Sequence, residues 1–180
     1  EFVEELAKYL AVSNIHYAFY SQRIKRMTSI IDKIRNNPTM GLGGLQDIGG
    51  VRFVFDSMSD LQMCQEALTT FSPKGFSFVR TTDYIKNPKQ SGYRSYHMII
   101  KYTVYMAEGP RDILAEFQIR TLAMNFWATI EHSLKYKYQK QIPAEIKERL
   151  YRASEVSARL DNEMSNIKSI MDELEQLGVG

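Results

Sequence analysis

The chain has 180 residues, 44% hydrophobic and 24% charged, which suffices for one domain with its own core. A net charge of +2 is too mild for a general nucleic-acid binder, so any anion site has to come from local clusters of Lys and Arg. One cysteine, Cys64, and three histidines without HxxH or CxxC spacing exclude an internal disulfide and argue against a His/Cys metal site; a hard cation on carboxylates stays open.

The first residues, "EFVEELAKYL", place Val3, Leu6, Ala7 and Leu10 on one helical face and are unlike a signal peptide. "FYSQRIK" either closes that helix or forms a short strand. "SIIDKIRNN" reads as a helix capped by Ser29 and stopped at Asn36-Asn37-Pro38. The glycine-rich loop "MGLGGLQDIGG" leads into the strand "VRFVF", with Val51, Phe53 and Phe55 on one face. "MSDLQMCQEALTTF" is a helix with Leu61, Cys64 and Leu68 in register. "FSFVRTTDYI", "SYHMIIKYTVYM" and "DILAEFQIRT" are strands, the second apolar on both faces at Met98, Ile99 and Ile100. "LAMNFWATIEHSLKYKY" turns helical, with Trp127, Ala123, Ile130 and Leu134 as its core stripe. A last helix from about Pro143 carries Val156, Leu160, Met164, Ile167, Met171 and Leu174 at near-heptad spacing, either packed on its own domain or forming an oligomer seam. The order is α, then β-α-β-β-β, then α-α: an α/β (α+β-like) single domain, a mixed sheet flanked by helices. Residues 1–140 form the main body and 141–180 a C-terminal helical extension. No stretch approaches 18 apolar residues, so no membrane span is expected, and the cysteine usage fits the cytoplasm.

Four places carry candidate chemistry. In "AEFQIRT", Phe117 and Ile119 share one face of a strand and Glu116, Gln118 and Arg120 the other, which is either a solvated surface or the floor of a polar site. Asp47 stands before two glycines at a strand start, as turn chemistry or as a carboxylate beside a ligand. Asp47 and Glu116 together would suit one Mg²⁺. Arg23, Lys25 and Arg26 precede a helix start, as a solvated basic face or a triphosphate cradle, with Arg23 and Lys25 on one face if the segment is a strand. The loop "NPKQSGYRSYH" gathers Lys89, Tyr93, Arg94 and His97 after Lys86: a ring for a base to stack on, and cations for phosphates. His132 reads as a hydrogen-bonded structural group or one that supports a site residue from behind, rather than a catalyst.

The blocks "RIKRMTSIIDKI", "LQDIGGVRFVF", "DYIKNPKQSGYRSYHMII", "EFQIRTLAMNFW" and "IEHSLKYKY" occur in an order that resembles the RelA/SpoT-type synthetase domain, over about Arg23 to Tyr138. No hydrolase block precedes them, so the likeness is to the small, synthesis-only alarmone synthetases. The resemblance implies a nucleotidyltransferase-like fold and transfer of the β,γ-pyrophosphate of ATP to a ribose 3′-hydroxyl, most readily of GDP or GTP, making (p)ppGpp. It implies that Arg23, Lys25, Arg26, Ser29 and Arg52 bind ATP. Asp47 and Glu116 would hold Mg²⁺, with Glu116 activating the acceptor hydroxyl. Tyr93 would stack on the acceptor base, Lys86, Lys89 and His97 would contact phosphates, and Gln118 and Arg120 would shape the floor.

The chain departs from the family at Gln90-Ser91, where "NPKPNGYRS" is usual and the Asn helps hold guanine. The "QDIGG" block and Arg26 are similar to toxic small synthetases, some of which modify the 3′-end of tRNA while others make adenosine alarmones; such members pair with an antitoxin. For a tRNA acceptor, Lys135, Lys137 and Lys140 are the candidate backbone contacts. A non-catalytic nucleotide- or RNA-binding module is the reading from another class. Small alarmone synthetases also assemble through terminal helices, whereas the toxin-like members pair with an antitoxin, so the stripe from Val156 to Leu174 could serve a homo-oligomer, an antitoxin contact, or neither.

Overall fold

The computed structural model describes residues 2–37, 48–72, 74–107, 109–138 and 142–178. Its elements, in chain order, are α1 (Phe2–Val12), β1 (Phe19–Ile24), α2 (Met27–Arg35), β2 (Gly49–Phe55), α3 (Met58–Thr70), β3 (Phe76–Asp83), β4 (Tyr96–Met106), β5 (Gly109–Thr121), α4 (Leu122–Lys137) and α5 (Ala144–Gln176). The five strands form one sheet in the order β1-β2-β5-β4-β3. Only the β2–β5 pair is parallel; the other neighbours run antiparallel, so the sheet is mixed as expected. "FYSQRIK" resolves as a strand, because its backbone pairs with β2 from Phe19↔Val54 to Ile24↔Gly49.

Alternation sorts the side chains of the central strands. Phe53, Phe55, Phe117, Ile119, Met98 and Ile100 face α1 and α3, and with Leu6, Leu10, Leu61, Cys64 and Leu68 they make the core. Burial pushes the Cys64 thiol up to about 12, which leaves it a packing group. Ile99 and Val54, on the other face, are also buried, so the two-faced apolar reading of β4 holds.

Two local expectations change. The second helix starts at Met27, not after Ser29. Lys25 still donates its backbone N–H to Ile48 O at 2.8 Å, which keeps the chain extended through Arg26, and Ile30 N closes the first turn on Arg26 O at 3.1 Å. Arg26 is the N-cap, extended and without a side-chain cap bond. In α4 the buried positions are Met124, Trp127, Ala128 and Glu131, while Ile130 is exposed, so the inward face is rotated from the expected one. Trp127 Nε1 is used in docking, donating to Leu150 O at 2.8 Å.

The largest difference concerns α5. Its stripe of Val156, Leu160, Met164, Ile167, Met171 and Leu174 does not pack on its own domain; these residues are 37% to 54% exposed. A different, polar face points inward. Thr121 Oγ1 donates to Asp161 (2.8 Å), Ser165 Oγ accepts from Met58 N (3.2 Å), and Lys168 Nζ donates to Asp60 (2.5 Å). Burial pushes the Asp60 carboxyl up, but the bonds from Lys168 and Ser57 outweigh it and hold the group below the usual range. Asp60 thereby ties α5 to the Ser57 cap that starts α3.

Burial pushes the Asp161 carboxyl up to about 6, against the Thr121 hydrogen bond and the Arg94 charge. A folded value above the ordinary 3.8 means that stability from this group is complete below pH 3.8 and is lost as pH rises through about 6. Asp161→Asn keeps an oxygen for Thr121 and removes the charge. It is expected to raise the melting temperature at pH 8 by about 2–4 °C, the effect of roughly 1 kcal/mol in a domain this size, and to change little at pH 4. Thermal melts at both pH values check this; equal shifts would exclude titration of Asp161 as the cause.

Candidate functional site

The sheet face opposite the core is polar. Register places Ser21, Arg52, Gln118 and His97 side by side across four strands, and Arg23, Gly50 and Glu116 in the row next to them. Arg23 lies over Gly50, where a Cβ would make ordinary van der Waals contact with its Cγ at 3.5 Å. Glu116, Gln118 and Arg120 share this face; with Arg120 buried and Gln118 bordering a cleft, it is not a plainly solvated surface.

These groups make one connected network. Arg120 Nη2 donates to Tyr93 Oη (2.5 Å) and Gln118 Oε1 (2.8 Å), and Arg120 Nε donates to Ser95 Oγ (3.2 Å). Tyr93 Oη lies 2.8 Å from His97 Nε2, and His97 Nδ1 lies 2.8 Å from Glu116 Oε1. A carboxylate can only accept, so His97 Nδ1–H donates to Glu116, while Nε2 shares its hydrogen bond with the phenol that also accepts from Arg120. Gln118 Nε2 donates to the other carboxylate oxygen at 2.7 Å. Both oxygens of Glu116 are therefore oriented. Burial pushes the Tyr93 phenol up, against the pull of Arg120 and its hydrogen bonds, so it remains a donor near neutral pH. Burial and the neighbouring Arg120 charge lower the Arg52 value; Arg52 reaches Gln118 Oε1 (3.4 Å) and Asn125 Oδ1 (3.3 Å).

Two clefts open on this face. The larger, about 460 Å³, lies between the sheet and α4, with Arg23, Arg52, Lys89, Tyr93, Gln118 and Arg120 in its wall and Ser91 beside Tyr93. The smaller, about 220 Å³, lies over β1 and β2 and reaches Glu116; Arg23, Arg52 and Gln118 border both. Lys89 Nζ sits over the rings of Tyr84 (4.6 Å) and Tyr93 (4.9 Å).

Arg23, Arg52, Lys89, Tyr93, His97, Glu116, Gln118 and Arg120 are thus brought together. Lys25 lies one residue past the end of β1, and neither it nor Arg26 lines these clefts. Lys86 is exposed, its backbone N–H bonded to Asp83 Oδ1. Asp47 and the side chain of Ser29 lie outside the described residues, as does Lys140. Arg94, expected beside phosphates, turns away and pairs with Glu155. His132 is exposed and lines the larger cleft, so it is not an internal structural group. Thr129, Glu131, Ser133 and Lys135 line that cleft as well, and no sequence signal named them in that role except Lys135, expected as an RNA contact. Lys135 is paired with Glu131 one helical turn away.

A mixed sheet with a carboxylate and several arginines on one face, under a tyrosine-bearing loop, defines an α/β domain built to hold phosphate-bearing ligands. The family model "Region found in RelA / SpoT proteins" matches residues 22–141. The chain is 46% identical over 157 residues to GTP pyrophosphokinase YjbM of Bacillus subtilis (strain 168), covering 86% of this chain and 74% of that protein. It is 34% identical over 155 residues to GTP pyrophosphokinase YwaC of the same organism, at 83% and 73% coverage. Its fold matches small alarmone synthetase 1 from Bacillus subtilis, solved with its product pppGpp, at a TM-score of 0.81 and 43% identity, covering 93% of this chain and 87% of that one. A GTP pyrophosphokinase family protein from Streptococcus pneumoniae matches at 0.80 and 39% identity, with 97% and 88% covered. The chain belongs to the RelA/SpoT family, among its small alarmone synthetases.

Arg120 is buried and donates to three acceptors. Arg120→Ala is expected to remove the donor to Ser95 and Tyr93 and one of the two donors to Gln118, and to cost about 2–3 kcal/mol of stability, read as a fall in the urea midpoint. An unchanged midpoint would show that water replaces the guanidinium.

Proposed function

We propose that the protein transfers the β,γ-pyrophosphate of ATP to the ribose 3′-hydroxyl of GDP or GTP. The observation that carries this is Glu116, oriented on both oxygens by His97 and Gln118 and set among Arg23, Arg52 and the Tyr93 loop. The relatives named above are GTP pyrophosphokinases, and one was solved with pppGpp bound.

In this reading the 3′-oxygen attacks the β-phosphorus and its proton passes to Glu116. The bond from the β-phosphorus to the α,β-bridging oxygen breaks, and AMP leaves with the electron pair. Arg23 and Arg52 neutralise the triphosphate, and the uncapped amides at the start of α2 follow Arg23 in sequence. Tyr93 offers its ring to the acceptor base once Lys89 moves to a phosphate.

Among the described residues no three His, Cys, Asp or Glu side chains cluster, but Mg²⁺ needs only one or two carboxylates beside phosphates and waters. Glu116 fits, because it is a hard oxygen donor bordering the smaller cleft, the kind of ligand Mg²⁺ takes. Bound there with Asp47, Mg²⁺ would supply charge neutralisation of the phosphates.

The test is transfer of label from γ-labelled ATP to GDP, GTP, ATP, AMP or deacylated tRNA, each offered alone. Label on GDP or GTP is expected. Label on tRNA alone would make the chain a translation-blocking synthetase and put the weight on Ser91, which lines the cleft where the family has an Asn. ATP binding without transfer to any acceptor would leave a binding module. Glu116→Gln is expected to lower turnover by about 10²–10⁴-fold, the range for a lost general base, with ATP binding retained in calorimetry.

The outward stripe of α5 supports assembly with a second copy through that helix. Light scattering is expected to show an oligomer, and Leu160→Glu with Ile167→Glu to yield monomers; a monomeric unaltered chain would exclude the pairing.

A further inference from the structure

The loop that carries Tyr93 is closed locally at its base. Asp83 Oδ1 accepts from Ile85 N and Lys86 N at 2.9 Å each, and Tyr84 N donates to Ser95 O at 3.0 Å. Its tip is held from outside, by α5. Gly92 has φ +89° and lies against Ser154, so that a Cβ there would fall 2.0 Å from Ser154 Oγ and 2.7 Å from Ser154 Cβ. Arg94 Nη1 donates to Gly92 O, Ser154 O and Ser154 Oγ, each at 3.3 Å, and Arg94 Nη2 donates to Glu155 Oε1 at 2.8 Å. Tyr93 and Arg94 are neighbours with opposite destinations. Tyr93 lines the cleft, whereas Arg94 is mostly buried between loop and helix. Among the described residues, neither cleft has a lining residue from α5.

We infer that Arg94, clamped by Ser154 and Glu155, is a positioning residue for the acceptor: α5 sets the place of Tyr93 without touching either substrate. This rests on the reading of Tyr93 as the acceptor's platform. A planar guanidinium with four acceptors on two elements fixes both distance and angle, and a base-stacking ring is sensitive to displacements well under its own thickness. The clamp acts on one substrate only. Arg23 and Arg52 stand on β1 and β2, away from α5, so the ATP side has no such dependence. Nor does α5 depend on the clamp for its seat, since Asp161, Ser165 and Lys168 hold it further along.

The experiment is steady-state pyrophosphate transfer by the full chain, varying the acceptor at saturating ATP and then ATP at saturating acceptor. The variants are Glu155→Ala, Glu155→Gln, Arg94→Ala and the Arg94→Ala/Glu155→Ala pair. Glu155→Ala, at a half-exposed site, is expected to raise the acceptor KM about fivefold to tenfold, the scale of one lost charge-assisted bond, and to leave the ATP KM and the melting temperature unchanged. Glu155→Gln keeps an oxygen for Nη2 and is expected to restore most of the loss. Arg94→Ala is expected to exceed Glu155→Ala, and the pair to be no worse than Arg94→Ala alone, because both changes break one clamp. An unchanged acceptor KM in Glu155→Ala, equal shifts in both KM values, or additive effects in the pair would overturn the inference while leaving the functional reading intact. No transfer to any acceptor by the unaltered chain would overturn both.

Discussion

The structure depends on the pleat of one strand. In β5, Phe117 and Ile119 are fully buried against α1 and α3, and that fixes which way Glu116, Gln118 and Arg120 must point. A slip of one residue would put a carboxylate and a guanidinium into the core. Because β5 is central, its polar face also has a neighbour on each side, Arg52 from β2 and His97 from β4, both in register with Gln118. Hydrophobic burial on one face thus sets the spacing of the polar groups on the other.

The polar groups then organise one another. Gln118 accepts from Arg120 and Arg52 and donates to Glu116, so its amide orientation follows from the charges around it. His97 joins the acceptor loop to the carboxylate through Tyr93. A change at either end of this chain of bonds alters donors and acceptors at the other, which couples the tyrosine platform to the carboxylate without any moving element. Helix α5 adds a second constraint from outside. It presents polar groups to its own domain and apolar groups to solvent, the reverse of an ordinary surface helix.

Much of this was legible in the residues. Periodicity located the helices and strands, because 3.6-residue and 2-residue patterns are local properties. The family likeness, carried by five short blocks, agreed with the match over residues 22–141. The misreadings share a cause. Ser29 looked like a helix cap because serine caps helices, but the sheet kept the chain extended up to Arg26 and started the helix earlier. Arg94 looked like a phosphate ligand because it sits beside Tyr93, but its partners are about 60 residues away. The stripe on α5 had two readings because an apolar face suits packing on its own domain or an oligomer seam alike, and the first falls because the domain takes up the polar face instead.

By itself the sequence determined the element order apart from β1, which it left between helix and strand, the core alternation and the set of residue types able to handle a phosphorylated nucleotide, since each is encoded within a few neighbouring positions. Only the tertiary structure decided that β2 runs parallel beside β5, that α4 closes the larger cleft, and that α5 grips the acceptor loop. Those are contacts between segments far apart in the chain. They are selected by how the whole set of faces is buried at once, which no local pattern contains.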